Sequence, residues 1–480
     1  MRIYVCHARV IVHRVSNFYK PIRRRHRKWH SKSQHLSQHF PKDSTPRSQH
    51  RCPKTSKSGI LLPLLERRGA LRFCMYLCYV RGASTHKHTH IYIHTTDIYN
   101  NSSQRVSHTH NKKTPSSMSS VTEVLTRKPT NISITTNPSH ALNINTSEEI
   151  PTPRPNECLV HVRATGICGS DVHFWKEGKI GSSIITQECG LGHESAGEII
   201  QIGSEVKDLK VGDRVALECG IPCSKPSCTA CRTGQYHGCP EIIFFSSPPV
   251  HGTLRRYHVH PAAWLHKLPD SISFEEGALL EPLSVALAGI DRSGLRMGDP
   301  LVICGAGPIG MVSLLSAHAA GAAPIVITDL DESRLKMAKE LVPRVRTVLV
   351  QREESPVEIA GNVKAALGQE AKLVIECTGV QSSIWSGIYA AGFAGTVFII
   401  GVGKDKQEIP FMYASFREID IRFQFRYRET YPKAIMLVSE GLINLKPLVT
   451  HRYTLQQAQE AFTTASTPSA KAVKVQLLDE

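Results

Sequence analysis

One stretch constrains this chain of 480 residues more than any other. Leu301-Val-Ile-Cys304 runs without a break into Gly305-Ala-Gly307-Pro-Ile-Gly310, and an alanine-rich stretch of helical character follows as far as Gly321. A G-x-G-x-x-G string alone says little. Set between an apolar strand and a helix it has a physical meaning. The first glycine permits a tight turn, the second lets the backbone approach a pyrophosphate, and the third allows close helix–strand packing. The helix start then offers free N–H groups to the phosphates. The next expected strand ends at Asp329, 19 residues after Gly310. A carboxylate there can bond both ribose hydroxyls and repel a 2′-phosphate, so the site is expected to prefer NAD to NADP. Arg334 is near enough to stack on adenine or to pair with Asp329, and the sequence leaves both open.

The texture around this stretch agrees with it. From Asp299 onward, apolar strands such as Leu301–Cys304, Ile325–Thr328, Leu373–Glu376 and Thr396–Gly401 alternate with helical segments, which signals βαβ units and a parallel sheet. Upstream, from Ile132 to Leu280, short β-rich stretches (Cys158–Ala164, Ser195–Ile202, Asp213–Leu217) alternate with Gly and Pro turns, the pattern of a partly open β-barrel. After Phe423 the pattern returns to mixed pieces, with Tyr431–Glu440 expected helical and Lys471–Leu478 a final strand. The expected fold class is α/β: a β-rich domain over 126–285, a doubly wound parallel sheet over 286–423, and a return to the first domain over 424–480.

Charge separates the chain into two parts. Residues 1–117 hold 23 Lys and Arg against 3 Asp and Glu, and the remainder holds 35 against 38. The net charge of +17 therefore belongs to the leader and says little about the partners of the body. The leader cannot bury a core and is expected to be disordered. Its segment Thr85–Thr95 (THKHTHIYIHT) can be written in alternating CA and TA dinucleotides, as in non-coding repeats, which favours Met118-Ser-Ser as the translated start. A mitochondrial transit peptide and a nucleic-acid-binding tail are the alternatives. No run of about 18 apolar residues is present to suggest a membrane span.

Of the 14 cysteines, 10 follow Met118, and their clustering looks like metal ligation in a reducing compartment rather than a disulfide framework. Gly166-Ile-Cys168-Gly-Ser170-Asp171 and Gly192-His193-Glu194 supply a thiolate, an imidazole and a carboxylate. A zinc held by three protein groups keeps a fourth position open, where it lowers the pKa of an alcohol. Glu281, near the expected domain junction, could bond water on that metal or become a ligand itself. Downstream, Cys223-x4-Cys228-x2-Cys231-x7-Cys239 offers four thiolates in one loop, a closed site whose metal serves folding. Cys219 is a spare thiol that could compete for its first position.

Taken together, GHESAGEI, VGDRVALE, LEPLSVAL, CGAGPIG and the cysteine cluster make Met118–Glu480 resemble the medium-chain zinc dehydrogenases, which combine a GroES-like catalytic domain with a Rossmann domain. CGSDVHFW and Phe425-Arg426-Tyr427 resemble the sorbitol and xylitol dehydrogenase branch, and Phe244–Tyr257 looks closest to the fungal L-arabinitol 4-dehydrogenases. The resemblance implies oxidation of a secondary polyol hydroxyl to a ketone with NAD, in a cytoplasmic homotetramer. It implies Cys168, His193 and Glu194 as zinc ligands, with Ser170 beginning a proton relay. Glu281, Arg426 and Tyr427 would contact the polyol, and Ile309, Asp329, Arg334, Ile400, Gly401, Val402, Gln424, Phe425 and Arg426 would line NAD. Three departures stand out. Phe174 takes the place of a tyrosine common in sorbitol dehydrogenases, and Ser183 stands where arabinitol enzymes often carry Met, which enlarges the pocket edge and lets sorbitol compete. The Cys-x4-Cys spacing also exceeds the family's usual Cys-x2-Cys by two residues.

Overall fold

Strands covered on both faces read as unbroken apolar runs, and Leu301–Cys304 is such a strand: all four residues are buried in the computed structural model. The structure describes residues 121–480, with side chains from residue 124, so the expectations for residues 1–117 lie outside the described residues.

The first half is antiparallel. β1 (Asn131–Thr136) pairs with β2 (Leu142–Glu148). β3 (Glu157–Gly166) pairs with β4 (Glu194–Ile202), which pairs in turn with β5 (Arg214–Leu217). β6 (Tyr257–Pro261) lies along β3, and β7 (Leu265–Lys267) along β5. Helix α1 (Gly169–Glu177) follows β3 directly and ends at Gly178, whose φ of +67° supplies the left-handed C-cap. α2 (Leu280–Ser293) carries the chain into the second half and is buried along most of its length.

There β8 (Leu301–Cys304), α3 (Pro308–Ala319), β9 (Ile325–Asp329), α4 (Glu332–Leu341), β10 (Arg346–Leu349), α5 (Pro356–Leu367), β11 (Ala371–Glu376), α6 (Gln381–Ala390), β12 (Ala391–Ile399) and β13 (Asp420–Phe423) alternate. All six strands are parallel, in the order β10-β9-β8-β11-β12-β13. This is the doubly wound arrangement, with its topological switch point between β8 and β11, so the turn after Cys304 opens on the crevice where such sheets bind nucleotides.

The chain then returns. α7 (Tyr431–Ser439) is followed by β14 (Val449–Thr454) and β15 (Lys474–Leu478), and β15 pairs antiparallel with β3 in the register Gln476↔Gly166. The last strand begins at Lys474, three residues later than the sequence suggests, because Pro468–Ala470 forms a 3-10 turn and Lys471 caps it at φ +53°. One apolar cluster runs from Ala164 and Ala196 through Leu283 and Leu287 to Leu314 and Ile327, joining the halves without a polar break.

Candidate active site

The end of β3, the start of α1 and the start of β4 bring three ligand-type groups together. Ligand atoms of Cys168, His193 and Glu194 all lie within 4.8 Å of one another. Gly166 makes room for this: a Cβ there would sit 2.2 Å from Glu194 Oε2. The two loops that carry the trio are tied by Asp171, which is fully buried. Its Oδ2 accepts from the amide of Cys168 (3.0 Å), and its Oδ1 from the amide of Gly192 (3.0 Å) and the Ser246 hydroxyl (2.8 Å). The motif alone assigns Asp171 no role, although its place three residues after the helix-capping Cys168 is a capping-box signal.

Lys474 was missed altogether, because nothing in a strand of alternating Val and polar residues marks it. Its ammonium lies 2.6 and 2.8 Å from the Glu194 oxygens and also donates to Ile167 O (3.2 Å), with both side chains about 2% exposed. Burial disfavours charge on His193, yet the Asp171 carboxylate and Cys168 thiolate hold its pKa well above the ordinary value. The buried groups here are mostly acidic and face one lysine, and the Nδ1 of His193 is turned to Asp171 Oδ1 at 3.6 Å. This donor set suits a cation such as zinc.

Glu281, in the first turn of α2, lies within electrostatic reach of His193, Glu194 and Lys474, and burial pushes its pKa up to about 7. The Tyr427 hydroxyl is buried with no hydrogen-bond partner. The Arg426 guanidinium lies 3.6 Å from the centre of the Phe244 ring. Glu218, Tyr236, Phe244, Arg426 and Tyr427 border one small cavity. Ser170 is half-buried in the first turn of α1. Phe174 is buried in an apolar cluster with Ile167 and Leu191. Ser183 is half-buried in a two-residue strand.

A second groove is bordered by Gly305, Asp329, Leu330, Arg334, Thr378 and Val380. Gly305 adopts φ +94°, and a Cβ on Gly310 would meet Gly305 O at 1.8 Å, so both glycines are required by the turn. Gly307 caps α3 with no side-chain bond, and the nearest atom to a Cβ there would be Arg334 Nη1 at 4.0 Å, which leaves room for phosphates to approach. Asp329 accepts from the amides of Ala306 (2.6 Å) and Asp331 (2.9 Å), which fixes its carboxylate at the groove. Among the described residues Arg334 makes no ion pair with Asp329. It donates instead to Ala472 O (3.3 Å), across to the returning segment. Ile309 packs partly buried against the core, Ile400 is buried and Gly401 half-buried, Val402 and Phe425 are exposed, and Gln424 is half-buried. This groove fits a dinucleotide.

The four sulfurs of Cys223, Cys228, Cys231 and Cys239 also lie within 4.8 Å of one another. Cys223 Sγ is 3.8 Å from Cys231 Sγ, and Cys228 Sγ is 3.8 Å from Cys239 Sγ. Within the longer first spacing, Ser224 holds left-handed backbone with φ +52°. Cys219 stays outside this cluster, fully buried with its thiol toward Leu217 O.

A two-domain fold with a Cys–His–Glu site beside a nucleotide groove defines a metal-dependent dehydrogenase, and the chain belongs to the zinc-binding alcohol dehydrogenase family. The model of the alcohol dehydrogenase GroES-like domain matches residues 154–270, and that of the zinc-binding dehydrogenase domain matches 308–440. The chain is 53% identical over 364 residues to L-arabinitol 4-dehydrogenase of Talaromyces emersonii, covering 72% of this chain and 93% of that protein. It is 47% identical to sorbitol dehydrogenase of Macaca fascicularis, covering 70% and 93% respectively. The crystal structure of L-idonate 5-dehydrogenase from Escherichia coli superposes with a TM-score of 0.66 at 27% identity, covering 73% of this chain and 98% of that one.

Proposed function

We propose that this chain is an NAD-dependent zinc polyol dehydrogenase that oxidises a secondary hydroxyl of a sugar alcohol to a ketone. L-arabinitol, giving L-xylulose, is the favoured substrate, with sorbitol and xylitol as alternatives. The observation that carries the reading is the Tyr427 hydroxyl, buried without a partner beside Arg426 and Glu281, whose carboxylate in turn faces His193 and Glu194. A buried polar atom without a partner is costly unless a ligand completes it.

Cys168, His193 and Glu194 hold the catalytic metal, Asp171 fixes their spacing, and Lys474 orients the Glu194 carboxylate. When bound, zinc supplies a Lewis acid for the alcohol oxygen and the nicotinamide an acceptor for hydride. Glu281, Arg426 and Tyr427 hold the polyol by its hydroxyls, and Ser170 receives the alcohol proton on its way to solvent. Asp329 bonds the ribose of NAD, and the start of α3 binds its pyrophosphate. Cys223, Cys228, Cys231 and Cys239 hold a second, structural zinc. The proposal includes a cytoplasmic homotetramer; exposed Phe411, Met412, Phe416 and Phe423 around the edge strand β13 support self-association. No helix among the described residues is long and apolar enough to cross a membrane.

The test is a panel of L-arabinitol, xylitol, sorbitol, ethanol and butanol with NAD on the zinc-loaded protein. A simple alkyl alcohol leaves the polar lining unpaired, so polyols are expected to win in kcat/KM by several powers of ten. Ethanol equalling the best polyol overturns the substrate class, and absence of turnover with every alcohol favours a non-catalytic nucleotide-binding role.

A further inference from the structure

The four-cysteine lobe grips the chain segment that carries Arg426 and Tyr427, and does so at three points. Its base is the ribbon Gly220–Ile221 paired with Ile243–Phe244, and Phe244 stacks under the Arg426 guanidinium at 3.6 Å. Further along the lobe, Gly234 O accepts from Arg428 Nη1 (3.3 Å). Between Cys231 and Cys239 stands Tyr236, a buried ring whose hydroxyl donates to Glu218 Oε1 (2.7 Å) and accepts from the backbone amide of Glu429 (2.8 Å). Glu218 continues the line: its Oε2 is 2.8 Å from His266 Nε2, and the His266 ring stacks on Tyr431 at 4.8 Å with 17° between planes.

The gripped segment needs such support. Arg426 and Glu429 both hold left-handed backbone, with φ of +51° and +50°. Non-glycine residues persist there only when their surroundings over-determine them. A free segment would relax, carrying the Arg426 and Tyr427 side chains out of register with Glu281.

We propose that the cysteine lobe is a substrate-positioning device, with Tyr236 as the positioning residue that sets Arg426 and Tyr427 for polyol recognition. It rests on the polyol reading above. The lobe thereby couples a folding metal to substrate selection. Its four sulfurs fix the loop that holds Tyr236, and the hydroxyl of Tyr236 fixes the backbone next to the polyol-binding side chains. None of the residues that the lobe touches borders the groove at Gly305, Asp329 and Arg334, so the ribose and pyrophosphate of NAD are outside this coupling.

The experiment compares the full chain with Tyr236→Phe, which keeps the ring and removes only the hydroxyl, and with Arg428→Ala, which cuts a second tie. Three readouts are needed: KM for polyol and for NAD, zinc content, and hydrogen exchange at the Glu429 amide. The expected result is a polyol KM raised about tenfold or more in Tyr236→Phe, the cost of a lost bond to a charged partner. NAD KM moves less than the polyol KM, zinc content stays unchanged, and the Glu429 amide exchanges faster. Arg428→Ala moves the same way with smaller amplitude. A lower thermal midpoint with unchanged polyol KM and unchanged exchange at Glu429 in both variants means the lobe is structural only, and overturns the proposal. A wild-type chain that oxidises no polyol overturns the polyol reading instead; the exchange measurement needs no turnover and still decides whether Tyr236 holds the segment.

Discussion

Replacing Asp329 by Asn tests the cofactor groove most sharply, because the change removes one charge and little volume. The carboxylate accepts from the amides of Ala306 at 2.6 Å and Asp331 at 2.9 Å. Asn can keep one of these bonds through its carbonyl oxygen, so the turn should survive with the thermal midpoint lowered by a few degrees at most. Binding is another matter. Bonds from a ribose diol to a charged acceptor contribute about 1.5–3 kcal/mol, so kcat/KM for NAD should fall about 10- to 150-fold. For NADP the sign reverses. A carboxylate about 5 Å from a phosphate costs about 3 kcal/mol per unit of phosphate charge at an effective dielectric near 20, and Asn removes that repulsion. The NADP-to-NAD ratio of kcat/KM should therefore rise by at least about a hundredfold. Adding Leu330→Arg, at a half-exposed position on the groove wall, should raise it further by offering a cation to the 2′-phosphate. The assay is initial-rate kinetics with both cofactors at one polyol concentration. A ratio unchanged within about threefold would show that Asp329 does not face the ribose.

Three further outcomes follow from the same geometry. Cys168→Ser and His193→Ala should abolish turnover while NAD affinity, measured by titration calorimetry, stays within about threefold, since none of the metal trio borders the cofactor groove; activity in zinc-free His193→Ala would refute the metal assignment. Cys231→Ser or Cys239→Ser should lower zinc content by about one equivalent and the thermal midpoint by several degrees, because a closed four-thiolate site contributes to folding; unchanged stoichiometry in both denies the second metal. Burial pushes His260 down to about 3 and His258 well below its ordinary value, so both are neutral in the fold and protonate on unfolding in acid. Stability should thus be full above about pH 6.5 and fall below it by up to about 1.4 kcal/mol per pH unit for each histidine. His260→Gln should flatten that slope in denaturant titrations, and an unaltered slope would place the acid sensitivity elsewhere.

Local chemistry made much of this protein legible before any coordinates. The strand–glycine–helix run at 301–321 owes its shape to backbone sterics within a few residues, so its turn, its free helix N-terminus and Asp329 could all be read directly. The cysteine lobe was equally plain, because four thiols within seventeen residues leave a loop few options. Distant forces added what local chemistry does not carry. Arg334 borders the cofactor groove with Asp329, and its guanidinium also reaches Ala472, 138 residues away. The final strand was begun at Lys471, whose backbone is instead set by the preceding turn.

What only the tertiary structure decided is the set of partners supplied by long-range pairing. Lys474 meets Glu194 because β15 returns to pair with β3, a register that links residues some 300 apart. Glu429 meets Tyr236 across 193 residues, and Tyr257 is threaded to Lys128 across 129. Such contacts leave no periodicity in the chain, because each is one residue on a strand or turn whose neighbours satisfy ordinary packing. Sequence determines which chemistry is available and where the backbone must bend. The closing of the sheet determines which buried charge finds its partner, since only there does desolvation make an unpaired group too costly to leave.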